Sequence, residues 1–282
     1  MSAPTPRPMM LITGASAGLG EGFARLYAAH GWDLALTARR AERLEAIAAE
    51  LRARHGAQVL TIPLDLAEPG APDRLVDAVE AEGRHVDGLI NNAGYSLTGG
   101  FLSLSPAQHA GMLAVMATAP VALSRRVAPG MAQRRFGRIL NVASLAGFLP
   151  ATGGDTLYGP LKSFLIKASQ GLHLELKRTG VHVTVLCPGY TLTEFHDANG
   201  SRDAVSRAYP RWMWMDAEPV IRAGYEACEA NRPVVIPGAF NRFMSIAARV
   251  TPTGWALKMA DKHARRLQRL PQTGGGGPNL PA

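Results

Sequence analysis

The chain has 282 residues, 47% of them hydrophobic, enough apolar material for one large α/β domain with an appendage. Its two cysteines, Cys187 and Cys228, stand far apart and outside any metal-ligand spacing, which argues against a disulfide framework, a zinc ribbon or another metal site and for a reducing, cytoplasmic setting. The formal charge is +8, but 25 of the 30 basic residues are arginine and they are spread along the chain, which points to compositional bias and away from a nucleic-acid partner.

Residues 1–8 are rich in proline, lack the apolar centre of a secretion signal and read as a flexible start; no apolar run approaches the length of a bilayer span, so a soluble protein is expected. Residues 9–13 are a short apolar run ending in Gly14, and an amphipathic pattern over 18–30 follows: a strand feeding a helix. The alternation continues with a strand at 33–38, a helix at 41–54, a strand at 58–64, a helix at 72–81 and a strand at 86–91. Repeated βα units predict a parallel sheet with right-handed crossovers. A long helix over 106–133, a strand at 138–143, a helix at 157–178 and a strand at 181–187 extend the pattern. After Pro188 it weakens: 197–210 is a polar, mobile excursion, 217–230 a helix, 233–236 a last strand, and 271–282 a flexible tail around the glycines at 274–277. The fold class is thus α/β, a Rossmann-type doubly wound parallel sheet over 9–240 with a C-terminal helical extension that covers the substrate.

The sharpest local signal is Thr13-Gly14-Ala15-Ser16-Ala17-Gly18-Leu19-Gly20 between the first strand and the first helix. Glycines there let the backbone approach a pyrophosphate at a helix N-terminus, where free N–H groups and the helix dipole favour anions. The same residues spell a serine-hydrolase elbow, Gly14-x-Ser16-x-Gly18, but that elbow follows several strands and needs a later acid and histidine, and no histidine here has a distinctive context. At the end of the second strand, where NAD enzymes carry an acidic residue for the ribose 2′-hydroxyl, stand Ala38, Arg39 and Arg40. Guanidinium groups bind a 2′-phosphate that a carboxylate would repel, so the expected cofactor is NADP(H).

Tyr158 and Lys162 are four residues apart, on one face of a helix, with Pro160 tolerable in its first turn. A phenol near pKa 10 is a poor acid-base catalyst at neutral pH, and a neighbouring ammonium favours its ionised form. The glycine loop, Asp65 and Leu66 after the third strand, Asn91-Asn92-Ala93-Gly94 after the fourth, Asn141-Val142-Ala143-Ser144 after the fifth, the Tyr158/Lys162 pair and Pro188-Gly189 after the sixth occur in one order. In that order and context the chain resembles the short-chain dehydrogenase/reductase family over residues 9–195, in its NADP-preferring ketone or 3-oxoacyl reductase type.

The resemblance implies reduction of a ketone or aldehyde, or the reverse oxidation, with Tyr158 protonating the carbonyl oxygen as hydride arrives from the nicotinamide. Ser144 would orient the carbonyl, and Lys162 would bind the nicotinamide ribose and assist the tyrosine. Asp65 would face the adenine, Asn92 to Gly94 would line the cofactor channel, and Thr191 and Thr193 would hold the carboxamide or pyrophosphate. Asn91 and Asn141 read as structural, holding strand ends together. The sequence departs from the family in two places. The spacing from Ser144 to Tyr158 is one residue longer than usual, with Gly153-Gly154 to absorb it, and the asparagine that completes the family's proton relay is replaced by Met116. Pro120, lacking an N–H, leaves the Met116 carbonyl free to bind a water that takes over the relay. The competing reading is a catalytically weak NADP-binding regulatory or scaffold protein, which rests on Met116 alone.

The expected substrate-binding segments are Tyr95 and Ser96, Leu145, and a lid over 190–230 with Tyr190, Phe195, Trp212 and Trp214; their aromatic character suits a bulky apolar or long-chain acyl substrate. Subunits are expected to pair through the two long helices as a homodimer or homotetramer. Residues 241–270 combine apolar and basic positions, broken by Pro252 and Gly254; such an extension is either a surface or subunit-contact helix or a peripheral contact with an anionic membrane.

Overall fold

A computed structural model describes residues 6–97, 101–150, 157–193 and 210–268, with side chains to residue 261. Strand β1 (Met9–Thr13) leads into helix α1 (Gly18–Ala29), β2 (Asp33–Ala38) into α2 (Ala41–His55), and β3 (Val59–Pro63) into α3 (Ala71–Ala81). After β4 (Gly88–Asn91) come α4 (Pro106–Leu113) and α5 (Ala119–Arg134), then β5 (Gly137–Val142), α6 (Tyr158–Leu176) and β6 (Val181–Leu186). Helix α7 (Ala217–Glu229), the short β7 (Val234–Val235), α8 (Ala239–Val250) and α9 (Thr253–Gln268) complete the order. Phe195, Gly153-Gly154, nearly all of 197–210 and the glycines at 274–277 lie outside the described residues.

The seven strands are all parallel, in the order β3-β2-β1-β4-β5-β6-β7. Every residue of β1 is buried because helices cover both faces, and its side chains alternate between them. Met10 and Ile12 join Phe23 and Tyr27 of α1, Leu44 of α2 and Val220 of α7 on one side. Met9 and Leu11 join Leu75 of α3, Leu123 of α5 and Leu161 of α6 on the other. The doubly wound sheet read from the sequence is the fold. Strand ends move by a residue or two from the sequence reading, and the C-terminal segment breaks at Thr251–Pro252 into α8 and α9.

One long helix was expected over 106–133, and here the structure differs. A capping box closes its start, with Ser105 and Gln108 each accepting the other's backbone N–H. At Ala114–Thr118 the chain widens into a π turn, where the Ala119 N–H reaches the Ala114 carbonyl five residues back. Pro120 explains it: with no N–H and a ring that would collide with the carbonyl four residues earlier, it cannot continue a regular α-helix through Met116.

The sheet is also stapled by a buried polar chain. Asn91 and Asn141 sit opposite each other in the β4–β5 register; Asn91 Nδ2 donates to Asn141 Oδ1 at 2.8 Å, and Asn141 Nδ2 donates to Ser169 Oγ on α6 at 2.8 Å. Truncating the central member leaves Asn91 Nδ2 only a long 3.4 Å contact with Ser124 Oγ and deprives Ser169 Oγ of its donor, in a dry core where an unpaired donor or acceptor costs about 1–3 kcal/mol. Asn141→Ala is therefore expected to lower unfolding stability by about 2–4 kcal/mol, read as a lower urea midpoint at unchanged slope.

Candidate active site

In a sheet of this order the chain reverses direction between β1 and β4, and the crevice outside their C-terminal ends is where ligands bind such folds. The turns that leave β1 and β4 touch there. Thr13 Oγ1 donates to the Ile90 carbonyl at 3.2 Å and accepts the N–H groups of Asn92 and Ala93, both at 3.0 Å, while Asn92 Nδ2 donates to the carbonyls of Thr13 and Gly14. Gly14, at φ +64°, lies so close to this turn that a Cβ would stand 2.9 Å from the Ala93 Cα. Thr13, which opens the glycine motif in the sequence, is thus a positioning residue, a role that the motif alone did not assign to it.

Helix α1 starts at Gly18 with Ala17 as its N-cap, and among the described residues no side chain caps its first N–H groups. A helix start left open in this way fits an anion. Thr193 closes over it from the far end of the crevice: a Cβ on Gly18, itself at φ +57°, would lie 3.1 Å from the Thr193 Cβ. The two arginines after β2 divide their tasks. Arg40 grips the glycine loop, with Nε and Nη2 on Ser16 Oγ at 3.2 and 3.1 Å. Arg39 is exposed and has no hydrogen-bond or ion-pair partner among the described residues. Ser16 is thus bonded to an arginine and not to a histidine, which removes the hydrolase elbow's geometry. Asp65 caps the turn after β3 by accepting the Ala67 N–H at 2.9 Å, and Leu66 is buried beneath it.

The second half of the site is assembled from β5, α6 and the π turn. Ser144 follows β5, its Oγ accepting the Ala146 N–H at 3.1 Å, and Leu145 donates its N–H to the Pro188 carbonyl at 2.7 Å, so the turns after β5 and β6 move as one. The Ser144 turn rests on the first turn of α6, where a Cβ on Gly147 would stand 2.8 Å from the Lys162 carbonyl carbon. Pro160 lies in that first turn, as its missing N–H requires. Lys162 is buried; its Nζ donates to the Val142 carbonyl at 2.9 Å and lies 5.6 Å from the centre of the Tyr158 ring. Gly94 and Met116 converge on the same ammonium: a Cβ on Gly94 would be 3.6 Å from Lys162 Nζ and 3.6 Å from Met116 Cγ. The structure therefore brings Met116, Gly94, Tyr158 and Lys162 together.

Beyond β6, Thr191 is buried and pairs with Met215 in an isolated bridge, and Asn241 of α8 packs directly beneath Gly189. Asn241 was missed in the sequence because a single asparagine in an amphipathic helix carries no signal. Of the expected substrate residues, Tyr190 and Trp214 stack with ring centres 5.3 Å apart, whereas Trp212 turns away to meet Phe240 edge-on at 4.9 Å. Half-buried Tyr95 feels the charges of Asp65 and Arg39, which sets it on the side of the β2 and β3 ends, apart from that stack; Ser96 is half-buried beside it. A cleft of about 260 Å³ follows Leu145, walled by Phe148, Leu149 and Pro150 and by Ala248 and Leu257 of the C-terminal helices. Among the described residues, no group of His, Cys, Asp or Glu could hold a metal ion, and no helix is long and apolar enough to cross a membrane.

Burial pushes the Lys162 ammonium down to about 8 from its ordinary value of about 10.5. The same desolvation raises both cysteine thiols to about 12, which makes them unreactive. For Lys162 the sign is that of a destabilising charge. As pH falls from about 10.5 the unfolded chain takes up the proton first and the folded state follows only near 8, so stability is lost across that window and stays low below it. Lys162→Met should consequently be more stable at pH 7, by about 1–3 kcal/mol, with the advantage shrinking above pH ~10; paired urea titrations at the two pH values measure it.

The sequence model of the family described as short chain dehydrogenase matches residues 8–204. The chain is 34% identical over 224 residues to an NADP-dependent 3-hydroxy acid dehydrogenase of Salmonella typhi, covering 76% of this chain and 86% of that one. It is 35% identical to a serine 3-dehydrogenase of Agrobacterium fabrum, over 71% of this chain and 79% of the other. A short-chain dehydrogenase from Sphingobium yanoikuyae, solved in complex with NADPH, superposes with a TM-score of 0.75 at 32% identity over 95% of this chain and 98% of its own. The bulky-bulky ketone specific alcohol dehydrogenase from Comamonas testosteroni superposes with a TM-score of 0.72 at 26% identity, over 98% of this chain and all (100%) of its own.

Proposed function

The chain belongs to the short-chain dehydrogenase/reductase family, and we propose that it is an NADP(H)-dependent oxidoreductase that reduces a bulky apolar or long-chain acyl ketone or aldehyde. The observation that carries the reading is the meeting of Tyr158, Lys162 and the Ser144 turn beside a helix start that no described side chain caps, with Arg39, which has no hydrogen-bond or ion-pair partner among the described residues, at the β2 end. When bound, NADPH supplies the hydride for the carbonyl carbon. The N–H groups at 17–20 would hold its pyrophosphate, Arg39 its 2′-phosphate, Asp65 and Asn92 to Gly94 the adenosine side, and Thr191 and Thr193 the nicotinamide side.

Within that frame Ser144 orients the carbonyl oxygen, and Tyr158 gives it a proton. Lys162 supports the phenolic oxygen from the buried side, where its own charge is least hydrated and acts most strongly. The proton is regained through the π turn: the Met116 carbonyl, which Pro120 cannot engage, holds a water that feeds Lys162. Substrate breadth rests on the Tyr190–Trp214 stack and on the cleft beyond Leu145. The bulky-ketone specificity of the Comamonas testosteroni relative favours the same class. Subunits pair through α5 and α6, whose outer faces leave Val121, Phe164 and Leu174 exposed.

Four measurements bear on this reading. Tyr158→Phe should lose at least about a hundredfold in kcat while binding NADPH as tightly as the wild type by fluorescence titration; unchanged turnover would instead indicate a nucleotide-binding scaffold. Arg39→Glu should cut kcat/KM for NADPH at least about tenfold and leave that for NADH unaffected or higher. An NADPH-consumption screen over carbonyl compounds graded by chain length and ring content should favour the large apolar ones; activity confined to small polar ketones or 3-hydroxy acids would overturn the substrate class. Met116→Asn should change kcat by less than tenfold, and a rise of orders of magnitude would show that the methionine blocks the relay.

A further inference from the structure

Helix α8 is inside out. Its buried side holds Asn241 and Ser245, only 6% and 2% exposed, while its outer side carries Phe243, Ile246 and Val250, which are 64%, 59% and 75% exposed. Apolar residues three and four apart form one helical face, and folding of a lone chain would turn that face inward. The helix is nevertheless firmly seated. Asn241 packs beneath Gly189 with its Nδ2 3.4 Å from Met215 Sδ, and the Arg249 guanidinium lies 4.9 Å over the Phe148 ring. Phe240, one turn before Phe243 on the same helix, meets Trp212 edge-on, and Trp255 and Met259 of the following helix are exposed as well. A contiguous apolar surface of this kind marks a contact with something else.

Charge decides what that is. From Ala239 to the C-terminus the sequence carries five arginines and two lysines against one acidic residue, Asp261, and so holds six of the chain's eight net positive charges. Arg242 flanks the apolar row and Lys258 follows Trp255, both exposed to solvent. A second copy docking on this face would bring positive against positive. An anionic bilayer would bring the opposite sign together with a hydrocarbon layer for Phe243, Ile246 and Val250, and tryptophans such as Trp255 favour its headgroup depth. We propose that α8 and the first turns of α9 form a docking surface for anionic phospholipid membranes, with α8 lying flat among the headgroups. The surface is independent of the catalytic reading above and would stand if the substrate class fell.

The full chain should cosediment with vesicles containing phosphatidylglycerol at least about tenfold better than with pure phosphatidylcholine vesicles, and the difference should collapse in about 0.5 M salt, where the Debye length falls to a few ångströms. Phe243→Glu combined with Ile246→Glu should abolish binding, and Arg242→Glu combined with Lys258→Glu should weaken it at least about tenfold, both at unchanged melting temperature and NADPH affinity. No cosedimentation with the anionic vesicles, or equal binding to neutral ones, would overturn the proposal. So would a drop in assembly mass by light scattering in the Phe243/Ile246 variant of a protein that ignores vesicles, because the face would then belong to a second copy.

Discussion

A single ammonium in a dry place governs the architecture around the crevice. Lys162 is fully enclosed and, among the described residues, its only hydrogen-bond partner is the Val142 carbonyl at the last residue of β5. Among the described residues no carboxylate balances it, and a buried charge of that kind is held only if the surroundings leave it no alternative. They do so by rigidity. The Asn91–Asn141–Ser169 chain locks β4, β5 and α6 in register, the Ser144 turn presses on the first turn of α6, and Gly94 and Met116 close the remaining side. The cost of burying one ammonium is thereby spread over two strands, helix α6 and the turns around them, the usual relation between a poised site and the scaffold that supports it.

Much of this was legible in the sequence because the relevant signals are local. Strand-glycine-helix alternation fixes the sheet type, the four-residue spacing fixes one helical face for Tyr158 and Lys162, and a proline fixes where a helix must change. The π turn shows the limit of such reasoning. Pro120 marks the carbonyl that loses its donor, but whether the helix kinks, breaks or widens depends on packing against Gly94 and α6, which no local pattern encodes. The same holds for Thr13 and Asn241. Each acts through a partner about eighty or fifty residues away, at Asn92 and Gly189 respectively. Trp212 and Trp214 illustrate the converse: two aromatic residues one position apart in the chain suggested one pocket, yet they pair with Phe240 and Tyr190 respectively.

The C-terminal extension links the two ends of the molecule's chemistry. Asn241 on the inner side of α8 supports the Gly189 turn, and Arg249 on the same helix covers Phe148 a few residues beyond Ser144. Anything that shifts α8 is felt at both turns bordering the crevice. An extension with an apolar outer face and these two inner contacts, Asn241 under Gly189 and Arg249 over Phe148, is therefore a mechanical connection as well as a surface.

The π turn has a consequence for the phase of the whole helical rod. Each residue advances an α-helix by about 100°, so the extra residue in Ala114–Thr118 sets α5 out of step with α4 by roughly that angle. Met112 before the turn and Leu123 after it nevertheless both point into the same core. The insertion acts as a rotary coupling: it lets one continuous rod present two differently phased apolar stripes to one sheet. Deleting a residue there would straighten the rod only by swinging one of those stripes into solvent.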